Sequence, residues 1–110
     1  MRQPHTHSRA TLEAARLLGL EIARARRARR WTAADLAERA GISVVTLRKV
    51  ERGDPTVALG TAFEVATLLG IPLFGASREE LSALTTRSSE RLALLPARVR
   101  QPVAAAHDAF

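Results

Sequence analysis

The residues best suited to chemistry lie between Ser43 and Arg52. Around two apolar residues, Leu47 and Val50, this stretch sets Ser43, Val44, Val45, Thr46, Arg48, Lys49 and Arg52. Hydroxyls and free amides at the start of a helix suit phosphate oxygens. Long basic side chains reach guanine edges or phosphates, and valine methyls can touch thymine methyls. The chemistry expected is recognition rather than catalysis. His5, His7 and His107 stand near the ends and there is no cysteine, so no zinc site, disulfide framework or catalytic triad can be assembled. No catalytic residue, metal or cofactor is expected, and the chain reads as a non-enzyme.

The charge supports the same direction. The 110 residues suit one small domain, with 17 Lys+Arg against 11 Asp+Glu and a formal charge of +6. All but one of the basic residues are arginine, a bias that GC-rich coding alone can produce, so their distribution matters more than their total. Residues 1–52 carry 12 basic and 5 acidic groups, net +7; residues 53–110 carry 5 and 6, net −1. A basic half joined to a near-neutral half points to a polyanion-binding face, the plainer alternative being a solvated arginine-rich helix. No apolar run approaches the ~18 residues of a membrane span, and no apolar leader opens the chain. A soluble, cytoplasmic protein without a membrane partner is expected.

Five helices must position these residues. The first spans 11–29, with Leu18, Ile22 and Ala25 on one stripe and Gly19 tolerated at some cost. Thr32 is an N-cap with Asp35 three residues on, and Trp31 can staple onto Leu36, so a second helix runs over 33–40 and ends at Gly41. Ser43 caps a third helix over 44–52, stapled by Ile42 and Leu47 and stopped at Gly53-Asp54-Pro55. A fourth covers 59–69 with a stripe of Leu59, Ala62, Phe63, Ala66 and Leu69. Ile71-Pro72-Leu73-Phe74 reads as a short extended stretch. Ser77 to Glu80 fits a capping box that starts a fifth helix, with Leu81 and Leu84 facing inward. Whether 85–95 is one helix or two stays open, as does whether Leu92, Leu94 and Leu95 form core or a partner surface.

Helices two and three, joined at Gly41, form the decisive unit. Ala37 is small where the helices cross, and Ile42, Leu47 and Val50 pack the third helix on the second. One helix braces while the other offers its outer face to a major groove.

WTAADLAERAGISVVTLRKVERGD resembles the XRE-type (Cro/C1-like) helix-turn-helix family over about residues 17–70. The resemblance implies an all-α, five-helix, lambda-repressor-like DNA-binding domain. Positions matching Val44, Val45 and Lys49 then read bases, beside Arg48. Thr32, Ser43, Thr46 and Arg52 would meet the DNA backbone. Arg26 would pair with Glu51 as a structural brace. The family's usual glutamine after the helix-two cap is Ala33 here, which removes one expected phosphate contact.

Further on, ERGDPTVALGTAFEVATLLGIPLF, then LALLPARVR, then a tail ending in Phe110, are similar to HipB-like antitoxins encoded beside HipA-family kinase toxins. This second resemblance is more diffuse. It implies a homodimer on an inverted-repeat operator, repressing its own operon and binding a HipA-like kinase toxin. Ile71, Leu73, Phe74, Leu92, Leu95 and Phe110 are the dimer or partner candidates, with the segment 71–74 able to act as a short dimer strand. Pro72 limits that pairing to an edge. The domain plan expected is a flexible arm over 1–10, a helix-turn-helix domain over 11–75, a helical dimer or partner segment over 76–97 and a tail over 98–110. The alternatives are a stand-alone or phage-type XRE regulator, or an interaction protein that neutralises a toxin with little DNA role.

Overall fold

Hydroxyl side chains decide where three of the helices begin. The computed structural model describes residues 6–101. Its five helices are α1 (Arg9–Ala28), α2 (Ala33–Ala40), α3 (Val44–Arg52), α4 (Leu59–Leu68) and α5 (Arg78–Ala93). The Ser8 hydroxyl accepts the Thr11 amide at 3.2 Å and starts α1 at Arg9. The arm expected over 1–10 therefore gives up Arg9 and Ala10 to the helix, because the cap lies earlier than periodicity alone indicates. Thr32 and Asp35 form a reciprocal capping box at α2. Ser43 accepts the Thr46 amide at 3.0 Å and starts α3.

The chain divides into two compact units, one ending at Ser77 and the other starting at Arg78. In the first, Ile22, Leu36, Ala37, Leu47, Val50, Val65, Ala66 and Leu69 form one buried cluster. Helix α1 packs on α3, α3 on α2, and α4 on both α2 and α1. The turn between α2 and α3 is tight because Gly41 takes the left-handed conformation at φ 70° without a Cβ penalty. Burying a Leu or Ile side chain contributes about 1.5–3 kcal/mol, so this small cluster carries most of the unit's hydrophobic stability.

Two contacts bring α1 unusually close to α3. A Cβ on Gly19 would stand 2.5 Å from the Val50 carbonyl oxygen and 2.6 Å from that of Glu51. One on Gly53 would stand 2.5 Å from the Arg16 Cα. Gly19 is thus a requirement of the packing rather than a tolerated defect in the helix.

Two apolar segments of the first unit also depart from expectation. Leu59 is exposed rather than part of the α4 core stripe. Helix α4 is apolar on most of its circumference, so periodicity does not single out its inward face. The stretch 71–74 is not a strand: among the described residues the only bridge is an isolated antiparallel one between Leu73 and Ala76. Phe74 and Gly75 both take positive φ, 55° and 64°, and the Ala76 amide donates to the Leu73 carbonyl at 3.0 Å. That is a primed hairpin turn, which folds the segment back on itself.

The second unit holds one continuous helix, α5, which runs through the open stretch as far as Ala93; none of its residues is buried. Leu81 and Leu84 are half-buried, and the Thr85 hydroxyl donates back to the Leu81 carbonyl at 2.9 Å. No helix among the described residues is long and apolar enough to cross a membrane.

Candidate nucleic-acid interface

Three fixings hold α3 in place. Its inner face, Leu47 and Val50, is buried in the core. The Gly19 contact seats its carboxyl-terminal turn on α1. The third is a fork between Arg26 and Glu51. Arg26 Nε donates to Glu51 Oε2 at 2.7 Å and Nη2 to Oε1 at 3.0 Å, while Nη1 donates to the Trp31 carbonyl at 2.9 Å. Both side chains are nearly covered, at 12% and 13% exposure. Paired hydrogen bonds between planar ions add direction as well as charge. The bond to Glu51 raises the Arg26 pKa above its ordinary value. One guanidinium thus joins α1, α3 and the turn leading into α2.

With the inner face fixed, the outer face is determined. Val45 is 64% exposed, and Arg48, Lys49 and Arg52 are exposed with it. Val45 and Lys49 stand four apart, as do Arg48 and Arg52, so two parallel rows share one face. The ion pairs Arg24–Glu21 and Arg26–Glu51 do not engage this face. Val44 lies elsewhere than expected: it is partly buried against the core rather than beside Val45. The reason is helical spacing, since Val44 and Leu47 are three apart and share a side.

The hydroxyls assigned to the DNA backbone are already bonded within the protein. Thr32 Oγ1 accepts the Asp35 amide at 3.0 Å. Ser43 Oγ accepts the Thr46 amide and donates to Thr46 Oγ1 at 2.9 Å. Bonds from the Thr32 amide and hydroxyl hold the Asp35 carboxyl below its ordinary range. Asp54, just past α3, is likewise held low by the Thr56 hydroxyl and amide, with the charges of Lys49 and Arg52 adding to the effect. Ala33 packs against the core, so nothing there replaces the missing glutamine.

Two arginines that sequence reading passed over hold the frame. Arg29 Nη2 donates to the Leu69 carbonyl at 2.9 Å, satisfying the end of α4. Arg39 lies 4.1 Å over the Trp31 ring, beside the start of α2. Neither has a local sequence signal, since each partner is set by tertiary packing. Gly19 did carry a signal, a glycine inside a good helix, but its spatial partner could not be read.

The dimer and partner candidates differ in their burial within each unit. Ile71 and Leu73 are partly buried against the core of their own unit. Phe74 is exposed at the hairpin tip, its ring edge-on to Phe63 at 6.4 Å and 78°. Leu92 and Leu95 are exposed in the second unit. Phe110 lies outside the described residues. Among the described residues no group of His, Asp or Glu is arranged to hold a metal.

Residues 22–75 match the family model described as helix-turn-helix. No curated protein and no solved structure matches the chain. The match starts within α1 and ends at the hairpin after α4, so it takes in the brace, both helices of the motif and the exposed face of α3. Over residues 22–75 the chain is thus similar to the helix-turn-helix family.

Proposed function

We propose that the protein is a sequence-specific, dimeric transcriptional repressor, and that it serves as the antitoxin and autoregulator of a HipA-type toxin–antitoxin operon. The observation that carries the DNA part is the rigidly held α3 with Val45, Arg48, Lys49 and Arg52 exposed on one face. In this reading Val45, Arg48 and Lys49 meet base edges, with Val44 at the margin of the contact, and Arg52 meets phosphate. The Thr32 and Ser43 caps, with Thr46 in the first turn of α3, present the helix amino termini to the backbone. A dimer would place two such helices about one DNA turn, ~34 Å, apart on an inverted repeat. The antitoxin part rests on the likeness of the linker and carboxyl-terminal segments to HipB-like proteins.

Binding to the DNA upstream of the coding region tests the first part. Lys49→Ala should weaken operator binding by ~1–3 kcal/mol and leave random DNA nearly unaffected. Arg52→Ala should weaken both alike and reduce the salt slope by about one unit. Equal losses on operator and random DNA for Lys49→Ala would remove it from base reading. Co-purification with the product of the adjacent gene tests the second part. A kinase-like product held in complex supports the antitoxin role; operator binding without such a partner leaves a stand-alone regulator.

A further inference from the structure

Helices α1 and α3 border a groove of about 770 Å³ lined by both leucines and arginines. Leu17 and Leu20, 61% and 50% exposed, line its amino-terminal end along α1. Arg24 and Arg27 continue the same side of α1, and Arg48 and Arg52 line it from α3. The two carboxylates at the groove are already matched. Glu21 Oε2 accepts from Arg24 Nη2 at 2.6 Å, and Glu51 is held by Arg26. Arg27, Arg48 and Arg52 have no carboxylate within ion-pair distance among the described residues. The groove is therefore net positive around exposed leucines.

DNA alone does not account for this combination. A phosphate backbone gains nothing by covering Leu17 and Leu20, whereas an apolar face removes them from water. From Leu17 to Arg27 the groove runs ~15 Å along α1, about three helical turns. An amphipathic helix with leucines on one side and carboxylates beside them matches both the exposed leucines and the arginines of the groove. We propose that this groove docks an acidic amphipathic helix of a partner protein, and that docking excludes DNA because Arg48 and Arg52 serve both surfaces. The second clause rests on the DNA-binding reading of α3; the first does not.

The probe is a designed ~18-residue helix, fluorescein-labelled, with a leucine stripe bordered by glutamates. Its control is a scrambled peptide of the same composition. Anisotropy titrations use the full chain. The designed helix should bind, and the scrambled peptide should bind at least about tenfold more weakly. The variant Leu20→Asn/Arg24→Ser/Arg27→Ser should lose at least about tenfold in peptide affinity while keeping its affinity for upstream DNA. Leu17→Asn alone provides a milder second variant with the same expected direction. Absence of peptide binding overturns docking, as does equal affinity for both peptides or for parent and variants. Displacement of the peptide by upstream DNA supports exclusion, and a ternary complex overturns it. A chain that binds the peptide but no upstream DNA refutes the DNA reading and leaves docking in place.

Discussion

The two units of the chain are both helical, yet they are stabilised in opposite ways. In the first, four helices bury Ile22, Leu36, Leu47 and Val65 completely, and α2 and α3 are both capped and stopped. In the second, α5 is as long as α2 and α3 nearly combined and buries no residue. Helix α2 is too short to persist alone in water, so its order depends on packing. In α5 an acidic first turn, Glu79 and Glu80, favours the start, and Leu81 and Leu84 are its half-buried residues. The difference teaches that the position of α3 is set by the core and the brace, whereas α5 leaves most of its surface to solvent.

Substitutions at four positions would break or sharpen that contrast. The largest effect belongs to Leu47→Ala, which removes a fully buried side chain from beneath α3 and should cost ~2–5 kcal/mol in chemical denaturation. Arg26→Ala comes next. It leaves the nearly covered Glu51 carboxylate without its partner, and should cost about 2–3 kcal/mol, less than for a fully buried pair because both side chains keep some water contact. Arg26→Lys should restore little, since an ammonium cannot reproduce the fork.

The third concerns acid. The folded pKa of Asp35 lies below its unfolded value, so its contribution is complete above about pH 4 and disappears as pH falls through the folded value. Asp35→Asn should therefore lower Tm near neutrality and flatten the fall of Tm below about pH 4. An unchanged acid limb in a melting series would show that the capping carboxylate is not linked to stability. The smallest effect is expected for Leu92→Ala in α5, within about 0.5 kcal/mol. A larger loss that grows with protein concentration would mean instead that this exposed leucine is covered in an assembly.

The contrast also explains what the sequence made legible. The bounds of α2 and α3 could be read residue by residue, because Thr32, Asp35, Gly41, Ser43 and Gly53 act on amides and carbonyls within a few positions. The turn at Phe74-Gly75 was missed because Ile71 to Phe74 has the residue types of a strand, while the left-handed pair that folds it falls partly outside that run. The exposure of Leu59 was missed because a helix apolar on most sides has no periodic face to read. The bond from Arg29 to the Leu69 carbonyl joins positions 40 apart and has no local trace. At the site, the outward residues of α3 followed from removing Leu47 and Val50, but helical spacing placed Val44 with the core instead. The partnership of Arg26 with Glu51 came from family likeness alone; nothing in the spacing of the two residues would have paired them.

Gly19 has a further consequence. The carbonyls of Val50 and Glu51 occupy the space where any side chain at that position would begin, so main chain is laid against main chain. The pose of α3 is therefore indexed by atoms that do not change when its surface residues change. Val45, Arg48 and Lys49 can be exchanged as a set, by evolution or in a randomised library, on a mount that keeps its alignment. The protein separates how α3 is held from which side chains it presents.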